Sequence, residues 1–166
     1  MPVVLMALAV VVGVWLLDAR GNTVVVVVRD AEVETGDSPD PNLSLAGRER
    51  AARLARVWGQ STSSTKLDAI FAIDTRRAQQ TIAPLAEAIA VPINVVPSAN
   101  WSELADRIRR DHRGQVVLVA GQPQQAAALV AALAKEDVVI AESDYDAMFV
   151  MFLPRIARNR LLSWRY

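Results

Sequence analysis

Few side chains in this chain can do covalent chemistry, and the shortage narrows the reactions open to it. None of its 166 residues is a cysteine, which excludes thiol nucleophiles, disulfides and cysteine-ligated zinc. The one histidine, His112, stands just before Gly114 in a helix-to-strand connection. It cannot build a multi-histidine metal site, and it reads as an ordinary surface residue. What remains is carboxylates and arginines. Arg29 and Asp30 close an unbroken run of valines, and Glu32, Glu34, Asp37 and Asp40 follow in a stretch broken by Gly36, Pro39 and Pro41. A carboxylate beside arginines suits general-base work or the holding of an anionic ligand. No metal-ligand pattern accompanies it, so the four later acids read as solvated charges on a mobile-looking loop. Eighteen basic and eighteen acidic residues cancel, without a Lys/Arg stripe. That balance excludes nucleic acid as a partner, since such binding depends on neutralising phosphates.

The elements that position these residues follow from periodicity. Apolar residues make up 52% of the chain and charged ones 22%, spread along its length, which implies a folded domain. Val24 to Val28 is β-branched throughout, the pattern of a strand covered on both faces of a largely parallel sheet. The loop from Asp30 to Asn42 begins at the end of that strand, where ligands of such sheets bind. Ser44 is placed to cap a helix running to about Trp58, with Leu45, Ala52, Leu54, Ala55 and Trp58 as its apolar stripe. Arg48, Glu49, Arg50, Arg53 and Arg56 then form a solvated face. Leu67 to Ile73 reads as a second strand, Arg77 to Ala90 as a helix, and Ile93 to Val96 as a third strand. Trp101 to Arg110 is helical in pattern, Val116 to Ala120 is a buried strand, and Gln124 to Ala134 is an alanine-rich helix. Ala147 to Leu153 and Arg160 to Tyr166 read as two strands that pair antiparallel at the sheet edge. The alternation predicts a three-layer α/β/α sandwich with a mostly parallel central sheet and this antiparallel edge. Trp101, Trp164 and Tyr166 read as packing residues.

Three segments, in order, resemble the histidine phosphatase (phosphoglycerate mutase-like) superfamily. Val24-Val25-Val26-Val27-Val28-Arg29-Asp30-Ala31-Glu32 is similar to the family's first strand and its Arg-His-Gly or Arg-His-Ala signature. Leu43-Ser44 and Gly47 then resemble its Leu-Ser/Thr-x-x-Gly. Asp74 to Thr81 (DTRRAQQT) resembles the Arg-Ala-x-Gln-Thr that opens the next helix, and Val116 to Gln122 resembles the late strand ending in Gly-His. The resemblance spans about residues 23 to 166. In such enzymes one histidine attacks a phosphoryl group, while two arginines and a second histidine hold the phosphate oxygens. Carried over, the arginines are Arg29 and Arg77, the nucleophile position is Asp30, and the second histidine position is Gln122. His112 matches neither. Glu103 is the candidate for the family's acidic proton donor and reads equally as a helix-surface carboxylate.

These replacements imply a domain without competent catalytic residues. A carboxylate attacking a dianionic phosphate needs a metal to offset repulsion, and Gln122 donates a neutral hydrogen bond where histidine donates a charged one. The expectation is a pseudophosphatase in a binding, sensing or scaffold role, with no cofactor and no metal. Its anion-binding set is Arg29, Arg77, Gly121 and Gln122, and its partner is a phosphate-bearing small molecule or a protein. Alternatively, Asp30 works with Arg29 and Arg77 as a phosphomonoester hydrolase of altered mechanism on a phosphorylated or other anionic substrate. Residues 2 to 17 run uncharged before Asp18, short of the roughly 20 apolar residues that span a bilayer. They read as a signal or anchor segment, placing residues 1–21 apart from a domain of 22–166 and the protein at a membrane or exported, with a cytoplasmic location otherwise.

Overall fold

The computed structural model describes residues 21–59, 67–154 and 158–165. Strand β1 (Thr23–Arg29) is central, and Val25 to Val28 have no exposed surface. Side chains branched at Cβ suit this position because they are already stiff and pack against both covering layers. Helix α1 (Leu45–Gly59) follows, started by Ser44, whose Oγ accepts from the Gly47 N–H at 3.1 Å. Next come β2 (Ala69–Ile73), α2 (Arg76–Ile89), β3 (Ile93–Val96), a 3₁₀ turn (Ser98–Glu103), α3 (Leu104–Asp111), β4 (Val116–Gly121) and α4 (Pro123–Ala134). Strands β5 (Ala147–Leu153) and β6 (Arg160–Arg165) finish the chain.

The sheet order is β3-β2-β4-β1-β5-β6. The four strands from β3 to β1 run parallel, while β5 lies antiparallel to β1 and β6 antiparallel to β5. The expected architecture is therefore the observed one. Connection handedness sorts the helices. The crossovers β1 to β2 and β2 to β3 move in one direction along the sheet, and β3 to β4 moves in the other. Right-handed connections thus put α1 and α2 on one face and α3 and α4 on the opposite face. The contacts agree, since α1 packs on α2 and α3 on α4. One cluster of buried residues, including Phe71, Ile82, Leu85, Leu104, Leu118 and Leu133, fills the space between the layers.

The expected helix from Trp101 to Arg110 differs in its first turn. Pro97 sets the chain into a tighter turn, with the Asn100 N–H donating to the Pro97 carbonyl at 2.9 Å, and the α-helix starts only at Leu104. Trp101 thereby turns inward and donates from Nε1 to the Gln125 carbonyl at 2.9 Å, so its packing role is met. Trp164, on the edge strand, remains 67% exposed instead, because nothing among the described residues covers that edge. Tyr166 lies outside the described residues. So do residues 1–20, on which the expectation of a signal or anchor rests. Among the described residues no helix is long and apolar enough to cross a membrane.

Candidate functional site

Strands β1 and β4 end side by side, with Arg29 in register with Gly121 and the Asp30 N–H donating to the Gly121 carbonyl at 2.9 Å. The carboxyl ends of neighbouring parallel strands leave a crevice just beyond them. Two clasps bring α2 to it. Thr81 Oγ1 accepts from the Ala31 N–H at 2.9 Å and donates to the Arg77 carbonyl at 2.7 Å. Gln80 takes the Leu43 N–H at 2.8 Å and donates to Asn42 Oδ1 at 3.0 Å. Within Arg77 to Thr81, then, the glutamine and threonine hold the first loop, and the arginine is delivered to the crevice. Gln122 caps α4 from the other side, its carbonyl accepting from the Ala126 N–H at 2.8 Å. The result is a small pocket of about 280 Å³ lined by Arg29, Asp30, Arg77, Gln122, Glu142 and Tyr145, among others.

Asp30 occupies the floor of this pocket and is 3% exposed. Its Oδ2 lies 2.7 Å from Arg77 Nε, and its Oδ1 lies 3.6 Å from Arg29 Nη2. The nearer approach is a charge contact without hydrogen-bond alignment: among the described residues, Arg77 Nε and Asp30 Oδ1 have no hydrogen-bond partner. Burial pushes the Asp30 carboxyl above its ordinary range. Arg77 and then Arg29 pull it down without cancelling that effect, and Glu142 adds to the rise. Arg29 itself is turned largely toward the protein. Its Nη1 donates to the Ala141 and Glu142 carbonyls at 2.9 and 2.8 Å, its Nε donates to the Asp30 carbonyl at 3.2 Å, and its guanidinium lies 4.0 Å from the Tyr145 ring centroid. An arginine held this way has few donors left for a ligand.

The structure brings Arg29, Asp30, Arg77 and Gln122 together, whereas Gly121 lies behind them in the sheet. A Cβ on Gly121 would stand 3.0 Å from the Trp101 ring, so a glycine here lets the indole close over the strand end. Glu103 is exposed and lines a different groove with Asp106, Arg107 and Arg110. His112 is half-buried at the far end of the sheet, bonded to Gln115 through Nδ1 at 2.7 Å and set edge-on to Phe71. It closes the turn into β4 rather than facing solvent alone. Sequence reasoning missed Glu142 and Tyr145, which lie in an irregular segment without periodicity. The only signal there is the cluster of acids and one aromatic in ESDYD.

The early loop is also better anchored than its composition implies. Glu32 receives Arg50 Nε at 2.9 Å, and this bond, more than any other influence, holds its carboxyl below the usual range. Asp40 accepts the Arg76 N–H at 3.0 and 3.2 Å, and Arg48 reaches Glu34 at 3.5 Å and the Leu43 carbonyl at 2.6 Å. The solvated reading fails for Glu32, Arg50 and Asp40, which are half-buried against opposite or donating partners, and holds for Glu34 and Arg48, whose pair is exposed. It holds also for Asp37, Arg53 and Arg56, which are exposed. Among the described residues no group of three or more acids or histidines is arranged to hold a metal.

An α/β/α sandwich with a pocket of arginines at the carboxyl ends of its parallel strands defines the class: the chain has the fold of the histidine phosphatase superfamily. Residues 25–105 match the model of the histidine phosphatase superfamily (branch 1). Among solved structures, the protein histidine phosphatase SixA complexed with tungstate is similar with a TM-score of 0.66 at 16% identity, over 86% of this chain and 96% of that one. A mycobacterial glucosyl-3-phosphoglycerate phosphatase is similar with a TM-score of 0.62 at 18% identity, over 87% of this chain and 99% of that one. A phosphoserine phosphatase from Entamoeba histolytica, in complex with 3-phosphoglyceric acid, gives 0.61 at 12% identity, over 87% and 97%. No curated protein matches.

Proposed function

We propose that this chain is a catalytically degenerate histidine phosphatase fold, a pseudophosphatase, whose anion pocket is filled by its own Asp30 carboxylate. The observation that carries this reading is the position of Asp30, buried between Arg77 at 2.7 Å and Arg29 at 3.6 Å. Of the two arginine charges that would clamp a phosphate, one is thereby offset internally, and a phosphorylated ligand meets a carboxylate where its own oxygens would sit. The residue at the nucleophile position lacks the imidazole that attacks phosphorus near pH 7, and Gln122 supplies no charge to the transition state. The role left to such a domain is to bind, sense or scaffold, with a phosphate-bearing small molecule or a protein as partner. The uncharged run of residues 2 to 17 supports a membrane-anchored or exported setting for a domain of residues 22–166.

One observation favours a second reading. Among the described residues Asp30 Oδ1 is without a hydrogen-bond partner, and its carboxyl is raised above the ordinary range, as in a general base. In that case Asp30, with Arg77, hydrolyses an anionic substrate by altered chemistry.

Turnover of p-nitrophenyl phosphate by the full chain separates the two, measured with and without divalent metal beside Asp30→His and the Asp30→His, Gln122→His double variant. The expected result is no wild-type turnover and activity appearing in the double variant. Wild-type turnover that disappears in Asp30→Ala would overturn degeneracy and make Asp30 catalytic.

A further inference from the structure

The chain's zero net charge conceals an uneven distribution along the strand direction. At the carboxyl ends of β1 and β4 stand Asp40, Asp74, Glu142, Asp144 and Asp146; Glu142 lines the pocket, Asp40 faces Arg76 at 3.8 Å, and Asp144 and Asp146 pair with Arg165 at 3.1 and 2.8 Å. At the opposite end, where the chain enters β1, a depression of about 370 Å³ is lined by Gly21, Thr23, Arg109, Arg113, Pro154 and Asn159, among others, with no acid among its lining residues. Arg158 and Arg160 flank Asn159, and both are exposed, as is Arg113. Of the acids nearest this end, Asp111 pairs with Arg110 at 3.2 Å and Asp68 accepts the Val116 N–H at 2.8 Å, while Glu136 and Asp137 are exposed just past the end of α4. Glu136 lines the separate groove against β6. Gly21 borders the basic depression, and in sequence the uncharged run of residues 2 to 17 precedes it by three residues, Asp18, Ala19 and Arg20.

We propose that the basic end of the sheet, around Arg113, Arg158 and Arg160, rests on anionic lipid headgroups, so that the pocket at the acidic end points away from the bilayer. This rests on the reading of residues 2 to 17 as a membrane segment. Charge complementarity names the occupant. With the apolar run only three residues before Gly21 in sequence, a run held in the bilayer keeps arginines near Gly21 within reach of the surface, where phospholipid phosphates attract them. At the acidic end Arg76 and Arg165 offset several of the carboxylates, so the orientation is set mainly by the basic end and the apolar run. Arg109 is not the main contact, because its Nη2 donates to the Ala132 and Leu133 carbonyls and holds α3 against α4.

The test is co-sedimentation of the full chain with vesicles of phosphatidylcholine and of phosphatidylcholine mixed with phosphatidylglycerol, beside the Arg113→Gln, Arg158→Gln, Arg160→Gln variant. All three side chains are exposed, so the variant keeps its fold. The expected result is binding to both vesicles, tighter to the anionic ones, with that margin falling roughly fivefold per arginine neutralised and shrinking in high salt. Equal binding to both compositions, or an anionic margin unchanged in the variant, overturns the headgroup surface and leaves the membrane segment standing. Binding to anionic vesicles alone, lost in the variant, overturns the membrane segment and supports the basic surface. Binding to neither overturns both.

Discussion

Asp30 and Glu32 are two residues apart and respond to pH in opposite senses. Asp30 titrates above its unfolded value because of burial, so the folded state holds its proton more tightly. Its contribution is most favourable below the unfolded value and is lost as pH rises through the raised one. Asp30→Asn, an uncharged stand-in for the protonated acid, should therefore be at least as stable as the wild type at neutral pH. The wild type should recover relative to it as the solution is acidified, measured by urea unfolding across a pH series. Glu32 is held low by Arg50, so its contribution is present above the unfolded value and lost as pH falls through the lowered one. Glu32→Gln should cost about 1–2 kcal/mol at neutral pH, an effect that vanishes in acid by the same measurement. The sequence made Asp30 legible as the odd residue in a known pattern. Its burial was not legible, since nothing local says that Arg77, Glu142 and Tyr145 will close around it. Motif residues announce themselves by type, whereas their electrostatic surroundings come from segments far along the chain.

At the scale of elements, the strands and helices were readable because hydrophobic period and punctuation agreed, as at Val24 to Val28 or at Ser44. The functional meaning of Gly47 needed coordinates. A Cβ there would run into the Glu32 carbonyl oxygen, which also accepts the Ser44 N–H at 2.9 Å. Helix α1 is thus seated directly on the backbone that follows the pocket. Gly47→Ala should destabilise by about 1–3 kcal/mol, since backbone and not a flexible side chain must yield; thermal unfolding measures it. Thr81→Val keeps the volume of a buried side chain but leaves the Ala31 N–H without its acceptor, at a cost of about 1–3 kcal/mol. The early turn of the expected Trp101 helix was not legible because Pro97 governs it from outside the periodic stretch. The segment carrying Glu142 and Tyr145 has no period at all. Arg29 fastens that segment through two carbonyls and the Tyr145 ring. Arg29→Met should speed hydrogen exchange across residues 141–146 while the exchange of β4 stays slow.

Across the whole molecule, the sheet order has a consequence for how the chain is made. Of the described strands β1 leaves the ribosome first, yet its two neighbours are β4, beginning at Val116, and β5, beginning at Ala147. Five valines, four of them fully buried in the folded state, therefore wait through most of synthesis without a partner, a run of high β-propensity and low charge of the kind that self-associates when exposed. The pairings that rescue it are among the most distant in the chain, which places folding among the slower α/β domains. A nascent chain stalled before residue 147 should remain open to protease at β1, and one extended past β6 should be protected. The strand that carries Arg29 and Asp30 to the pocket is made before both of its partners, so during translation this protein depends on whatever shields that strand until β4 and β5 arrive.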